Sequence, residues 1–132
     1  MRVILRDKVK DNIILSDERG QIVVNLRSYC ELLKWLIVEY VGVSYQEADS
    51  CIERHSDYFD NFNMTVMRVT LESHSWPYYY LAMDFYFGDY HKAVTIKPSP
   101  DTQAGVDLYA EIEKRILNEH SLKDPFDYNG WE

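Results

Sequence analysis

Apolar and polar residues alternate with strand-like spacing in some segments of the chain and recur with helix-like spacing in others. Two apolar runs, 13–15 and 22–24, flank the polar turn SDERG and predict a β-hairpin. The sequence YCELLKWLIVEYV predicts a helix that is capped by Asn25 or Ser28 and ended by Gly42. Its wide apolar side indicates that this helix is buried around most of its circumference.

Two further helices are predicted on either side of the central part of the chain. The residues SYQE, at 44–47, match a capping box and predict a helix that extends to about residue 55 or 58. In VDLYAEIEKRILNEH, apolar residues recur at helical spacing from Val106 to Ile116 and predict the last helix.

Three segments between these helices predict an antiparallel meander. They are MTVMRVTLE at 64–72, YYYLAMDFYF at 78–87 and KAVTIK at 92–97, separated by turns at SHSWP and at Gly88 with Asp89. We therefore predict an α+β fold, in which an antiparallel β-sheet of N-terminal hairpin plus three-stranded meander packs with about three α-helices. Residues 1–132 are predicted to form a single domain.

The second predicted strand of the meander divides its residues between two faces, because successive side chains in a strand point to opposite sides. The apolar face, expected in the core, contains Tyr79, Leu81, Met83, Phe85 and Phe87. The opposite face is expected to contain Tyr78, Tyr80, Ala82, Asp84 and Tyr86, together with Arg68, Thr70 and Glu72 from the first strand. A register that places Val94 and Ile96 in the core leaves Ala93 and Thr95 on the tyrosine side.

This tyrosine-rich face has three interpretations. A helix covers it and the tyrosines are core residues with bonded hydroxyls, or the face is exposed and binds a protein, or it lines a cleft for a small molecule. Tyrosine suits all three because its ring buries area while its hydroxyl stays hydrated or hydrogen-bonded. It is also enriched in protein–protein interfaces.

Charge changes the balance between these interpretations. The net charge is −8, from 22 acidic and 14 basic residues, and residues 44–91 contribute a net −6 of it. Nucleic-acid binding depends on Lys and Arg neutralising phosphates, so this balance argues against a nucleic-acid partner. It is compatible with a basic protein partner, which long-range attraction would bring in faster. It is equally explained by solubility alone, since many cytosolic domains are acidic.

Cysteines and hydrophobic runs predict the compartment. The chain has two cysteines, Cys30 and Cys51, and no disulfide framework, so reduced and partly buried thiols are expected. The first residues, MRVILRDKVKDN, become charged before any signal-peptide core develops. The longest apolar run, WLIVEYVGV, is too short to span a bilayer. The sequence therefore predicts a cytoplasmic protein with no membrane partner.

Motifs for catalysis are missing from the sequence. The histidines stand singly, and the chain has no HExxH, CxxC or GxSxG motif and no glycine-rich phosphate loop. Two groups bring carboxylates near a histidine, namely His55 with Asp57 and Asp60, and His91 with Asp84 and Asp89. Each group is suited to acid–base catalysis if it lines a pocket. The simpler interpretation is that its residues lie on the surface of a helix or in a turn. The sequence predicts no enzyme, no cofactor and no metal site.

Small size, acidity, abundant tyrosine and missing catalytic motifs together resemble the general profile of bacterial immunity proteins, which neutralise toxin nucleases by covering their basic active sites. No family motif is matched, so no residue role is carried over. The predicted function is a non-catalytic acidic protein-binding module that neutralises a basic partner, such as a toxin nuclease. Its expected aromatic anchors are Trp76, Tyr78, Tyr80 and Tyr86, and its expected charged contacts are Glu72, Asp57, Asp60, Asp84 and Asp89.

Two alternatives remain at this point. One is a small-molecule-binding domain or small enzyme with a cleft lined by tyrosines. The other is a homodimer that pairs exposed faces or edges of its sheets, so the sequence leaves both a monomer and a homodimer open.

Overall fold

The computed structural model describes residues 11–17, 20–55 and 78–127. Within these ranges the chain is mostly helical, with four α-helices beside a small antiparallel sheet. The predicted sheet of hairpin plus three-stranded meander is therefore wrong, although helices and strands do occur together as an α+β fold requires. None of the helices in the described ranges combines the length and the apolar content needed to cross a membrane.

The predicted N-terminal hairpin is confirmed. Strands β1, Ile13–Asp17, and β2, Gly20–Val24, pair antiparallel with Ile13 opposite Val24. A two-residue strand, β3 at Phe126–Asp127, adds to β2 on its other side. The last described residues therefore dock on the hairpin at β2.

Helix α1, Leu26–Val41, is the central element of the core, as its wide apolar side predicted. Its N-cap residue is Asn25, but the Asn25 side chain does not cap the helix. The Asp11 carboxylate does so instead, because its Oδ1 accepts a hydrogen bond of 2.9 Å from the backbone N–H of Ser28. The helix ends as predicted at Gly42, whose φ of 84° is the left-handed conformation that glycine adopts readily.

Helix α2, Tyr45–Arg54, begins at the predicted cap, where the Ser44 hydroxyl accepts a hydrogen bond from the backbone N–H three residues later. A buried lysine joins α2 to α1. The Lys34 ammonium lies 2.7 Å from Glu31 of α1 and 2.8 Å from Asp49 of α2. Because a buried charge is costly without partners, this pairing fixes how the two helices pack.

Helix α3, Tyr78–Phe87, occupies the segment that was predicted to be the second meander strand. Its most buried positions include Tyr79, Ala82 and Met83, which follow helical rather than alternating spacing. A short apolar run fits both the two-residue period of a strand and the 3.6-residue period of a helix. The central Leu, Ala and Met are good helix formers. The run also contains no proline or glycine, and the helix ends only at Gly88, with φ 81°.

The other two meander strands are not observed either. Residues 64–72 lie outside the part of the chain that the structure describes. The third segment follows a 3₁₀ turn, Tyr90–Lys92, and forms no strand within the part of the chain that the structure describes. The backbone N–H of Ile96 donates instead to the carbonyl of Tyr40, at 2.8 Å. This carbonyl lies in the last turn of α1, where helices leave acceptors without an internal partner.

Helix α4, Gln103–Glu119, begins three residues before the predicted start. The Thr102 hydroxyl caps it by accepting a hydrogen bond of 3.1 Å from the backbone N–H of Gly105. The sequence prediction placed this threonine and glycine in the preceding loop. Of the predicted apolar stripe, Ile112 and Ile116 are buried, whereas Val106 is 41% exposed.

The Tyr40 hydroxyl provides a test of this core. Among the described side chains, its Oη is a buried oxygen that has no hydrogen-bond partner. This hydroxyl has lost its hydrogen bonds to water on folding and gains none from the described residues. Tyr40→Phe is therefore expected to stabilise the protein by about 1 kcal/mol and to raise Tm by about 4 °C. Calorimetry would measure the change.

Tyr109→Phe is the matched control for this substitution. The Tyr109 hydroxyl accepts from the backbone N–H of Tyr78 at 3.0 Å and donates to Glu113 at 2.9 Å. Its removal is therefore expected to lower Tm. A Tyr40→Phe protein that melts below the wild type would contradict this view of the core.

Candidate functional site

Helix α3 carries the predicted tyrosines, and Tyr80 and Asp84 lie one helical turn apart on its outer side. The Asp84 carboxylate accepts a hydrogen bond of 2.7 Å from the backbone N–H of Tyr90. Asp89 caps the same turn by accepting from the backbone N–H of His91 at 2.9 Å. These two carboxylates therefore fold the segment after α3 back onto the helix, which places the Tyr90 ring edge-to-face with the Tyr80 ring at 4.9 Å.

The remaining predicted anchors lie elsewhere. Tyr78 is held inward, because its backbone N–H donates to Tyr109 and its ring packs edge-on against Tyr29 at 5.5 Å. The Tyr86 hydroxyl donates to the carboxylate of Glu47, at the start of α2. The predicted contacts Trp76, Glu72, Asp57 and Asp60 lie outside the described residues. The structure thus brings Tyr80, Asp84 and Asp89 together and separates them from Tyr78 and Tyr86.

A cleft of about 720 Å³ opens beside Tyr80. Its aromatic wall comes from α3 and from the turn that follows. The facing wall comes from the extended segment after this turn, from the loop before α4 and from the first turn of α4. The described lining residues are Tyr79, Tyr80, Tyr90, His91, Ala93, Thr95, Ser99, Pro100, Asp101 and Val106.

Asp101 is the charged centre of the cleft rim. Its Oδ1 accepts from the Tyr80 hydroxyl at 2.5 Å, and its Oδ2 accepts from the Ser99 hydroxyl at 2.9 Å. These two hydrogen bonds, first that of Tyr80, hold the pKa of the Asp101 carboxyl below its usual range. Partial burial and then the bond to Asp101 raise the pKa of Tyr80 to about 12. At neutral pH the rim therefore presents a fixed, ionised carboxylate beside a neutral phenol.

An exposed apolar pair adjoins the cleft. Val94 is 76% exposed and Ile96 is 70% exposed, so the prediction that they lie in the core is wrong. The intervening Thr95 lines the cleft, as does Ala93, and alternate side chains of an extended segment point to opposite sides. Ala93 and Thr95 thus lie on the tyrosine side, while Val94 and Ile96 face solvent and are not covered by any strand among the described residues.

Of the two predicted acid–base groups, only that of His91 with Asp84 and Asp89 lies within the described residues, because Asp57 and Asp60 of the His55 group lie outside them. The ring of His55 makes a 3.1 Å hydrogen bond with the backbone carbonyl of Phe85, which the Cys51 thiol also approaches at 3.3 Å. Asp84 and Asp89 are engaged with backbone N–H groups, as described above. Within residues 11–17, 20–55 and 78–127, no group of three or more His, Cys, Asp or Glu side chains is placed to hold a metal ion.

Both cysteines are buried and are not joined in a disulfide. Burial raises the pKa of the Cys30 thiol far above its ordinary value, and it also raises the pKa of the Cys51 thiol. A thiol with a raised pKa is a poor nucleophile at neutral pH, so these side chains serve packing.

The Tyr80–Asp101 pair gives a direct test of the site's geometry. Replacement of Asp101 by asparagine keeps an acceptor for the phenol but removes the charge, so the pKa of Tyr80 is expected to fall from about 12 toward its ordinary value of about 10. The titration of the ring carbon bonded to Oη, followed by NMR on labelled tyrosine, would measure it. Asp107→Asn, which removes the same charge from the exposed side of α4, should leave the Tyr80 pKa unchanged.

The directions of the pKa shifts of Tyr80 and Asp101 determine how the stability of the protein changes with pH. The raised pKa of Tyr80 gives a contribution to stability that is complete below about pH 10 and is lost as the pH rises through about 12. The lowered pKa of Asp101 gives a contribution that is present above about pH 4 and is lost as the pH falls through the folded-state pKa. In the Asp101→Asn protein both contributions should shrink.

Sequence reasoning missed the residues that complete this site. Tyr90, Val94, Ile96 and Asp101 were assigned to turns, to a buried strand or to a loop. The run PSPDT does contain a signal, because Ser, Thr and Asp beside proline favour turns and helix caps that position a side chain.

Comparison of the chain with models of known protein families, with curated proteins and with solved structures finds no match.

Proposed function

We propose that the chain is a non-catalytic protein-binding module that recognises a basic protein, and that it acts in the cytoplasm as an immunity protein against a toxin nuclease. The observation that carries the proposal is the surface around the cleft. The cleft carries tyrosine rings and an ionised carboxylate, Asp101, and the segment that lines it exposes Val94 and Ile96 on its other side. Protein-binding surfaces have this composition, with apolar and aromatic groups at the centre and polar groups at the rim.

The charge of the surrounding surface supports a basic partner. Residues 78–127 contain nine Asp and Glu but five Lys and Arg. Two of these five cations are held within the chain, since Arg115 lies 2.7 Å and Lys97 lies 3.8 Å from the Glu39 carboxylate. The negative charge of this region is thus poorly neutralised from within, and it would attract a basic protein over a long range.

The test is binding to a panel of purified basic bacterial nuclease domains, with inhibition of nuclease activity as the functional readout. We expect at least one domain to bind with an association rate that falls as salt increases, because charged rims act mainly on the rate of encounter. Failure of every domain to bind or to be inhibited would contradict the proposal.

Matched variants locate the surface in the same experiment. Val94→Ser with Ile96→Ser removes exposed apolar area and is expected to weaken binding by about tenfold or more, as loss of interface anchors does. Ile14→Ser removes a comparable exposed side chain from β1, where Ile14 is 61% exposed. This control should bind like the wild type, and equal losses in both proteins would place the interface elsewhere.

The cleft itself favours a second candidate, a domain that binds a small molecule. Its volume of about 720 Å³ falls within the range of known ligand sites, which is about 300–1,000 Å³. A thermal-shift screen with metabolites tests this candidate. A ligand that raises Tm in proportion to the logarithm of its concentration would support it.

A further inference from the structure

The geometry points to the cleft as a receptor for an arginine side chain of the basic partner, an inference that rests on the proposed function. The guanidinium would meet the Asp101 carboxylate at the rim, and its stem would lie along the rings of Tyr80 and Tyr90. Three features of the cleft lead to this occupant, namely its carboxylate, its aromatic wall and its unneutralised charge.

The carboxylate is held in place before any partner arrives. Asp101 is itself exposed, yet both of its oxygens are fixed by hydroxyl donors, Tyr80 on one side and Ser99 on the other. Each carboxylate oxygen accepts more than one hydrogen bond, so lone pairs remain available for an incoming donor. A planar guanidinium matches two such oxygens with two parallel N–H groups, which a lysine ammonium does not.

The aromatic wall suits a flat cation. Tyr80 and Tyr90 meet at 4.9 Å with an interplanar angle of 75°, and Tyr79 lies edge-to-face with Tyr80 at 5.2 Å. A guanidinium stacks on aromatic faces through the negative charge of the ring face, and its carbon stem packs on the same rings. Tyr79 is buried and lines the inner part of the cleft, whereas Asp101 is exposed at its rim.

None of the described lining residues is lysine or arginine. The titratable base among them is His91, whose ring packs against Tyr90 at 4.0 Å and whose charged form lowers the pKa of Asp101 after the two hydrogen bonds do. The nearby cations Lys97 and Arg115 are directed to Glu39, as described above. A carboxylate that is fixed by hydroxyl groups rather than by an ion pair keeps its full charge for a partner. Charge complementarity therefore selects a basic side chain over a neutral or acidic one.

The experiment is an NMR titration of the full chain with the peptide acetyl-Gly-Arg-Gly-amide, compared with the same peptide containing citrulline. Citrulline has nearly the same shape as arginine but no charge. We expect saturable shifts at Tyr80, Tyr90 and Asp101 with the arginine peptide and at least about tenfold weaker binding of the citrulline peptide. Equal binding of the two peptides, or no shifts at these residues, would overturn the inference.

Variants test whether Asp101 and Tyr90 bind the arginine side chain. Asp101→Asn should weaken arginine-peptide binding by about tenfold or more, and Tyr90→Leu should weaken it severalfold through loss of the aromatic face. Glu111→Gln removes one negative charge from α4 outside the cleft and should change binding by less than about twofold. If Asp101→Asn and Glu111→Gln bind alike in folded proteins, the carboxylate does not hold the guanidinium and the inference fails.

Two further binding measurements use free arginine and the panel of nuclease domains. If free arginine binds more tightly than the peptide, the cleft is a metabolite site. The inference that it receives an arginine side chain of the partner then fails. A nuclease that binds wild type and Asp101→Asn equally would overturn the inference and leave the proposed function intact. Arginine-peptide docking in the cleft without any nuclease binding would support the guanidinium chemistry while the proposed function fails.

Discussion

Gly105→Ala is expected to destabilise the protein by at least about 3 kcal/mol, which is at the upper end for a single added methyl group. A Cβ built on Gly105 would lie 1.8 Å from the carbonyl oxygen of Ser99 and 2.7 Å from its carbon. Both atoms belong to the backbone, so no side-chain rotation relieves the clash. Either the loop at 99–102 or the first turn of α4 must move, and urea unfolding would measure the loss.

Gly88→Ala is the matched control for this prediction. Gly88 has a φ of 81° and no atom within 4 Å of a built Cβ, so alanine there meets only backbone strain of about 1–2 kcal/mol. A Gly105→Ala protein that loses no more stability than Gly88→Ala would show that the loop does not approach the helix as described. Displacement of this loop should also release Asp101 from Tyr80 and lower the pKa of Tyr80.

Asn25→Ala is expected to have the second largest effect, a loss of about 2–4 kcal/mol. The buried Asn25 side chain accepts from the backbone N–H of Asn12 at 3.0 Å and donates to the carbonyl of Asp124 at 2.7 Å. It thereby joins the chain before β1 to the segment before β3 at the start of α1. Alanine would leave two backbone groups without their partner, and each such loss costs about 1–3 kcal/mol when the group stays buried.

Arg27→Ala provides the comparison, because Arg27 lies two residues away on the exposed side of the same helix. A surface substitution of this kind usually changes stability by less than about 0.5 kcal/mol. Equal unfolding midpoints for the two variants would mean that Asn25 does not hold these segments together. Hydrogen exchange at β2 and β3 should accelerate in Asn25→Ala and not in Arg27→Ala.

Sequence patterns predicted the parts of the fold that local chemistry determines. The hairpin followed from two apolar runs about a polar turn, and α2 followed from the serine cap at its start. Gly42 ended α1 because a left-handed residue is needed there, and glycine adopts it without strain. These signals act over a few residues, so one sequence suffices to detect them.

The segment 78–87 could not be assigned by the same means. Tyr79 and Met83 are expected to be buried in either structure, because residues four apart share one face of a strand and also one side of a helix. Ala82 distinguishes the two, since a strand would place it opposite Tyr79 whereas the helix buries both. Alanine is small enough for either environment, and the choice depends on packing against α1, which one sequence does not show.

Only part of the candidate site could be predicted from the sequence. Tyr80 and Asp84 share one side of α3 as they would share one face of a strand, so both were found despite the wrong element. Asp101 reaches Tyr80 across 21 residues of chain, and that pairing depends on the path of the loop before α4. The exposure of Val94 could not be predicted, because an apolar residue within a predicted strand indicates a core position.

The most direct measurement of the central claim is an amide shift map of the isotopically labelled protein in complex with a basic nuclease domain that it inhibits. The account predicts that the largest shifts occur at Tyr80, Tyr90, Val94, Ile96 and Asp101, and that β1 remains unchanged. A complex whose largest shifts lie on β1 and on the exposed side of α2, with these five residues unchanged, would contradict it.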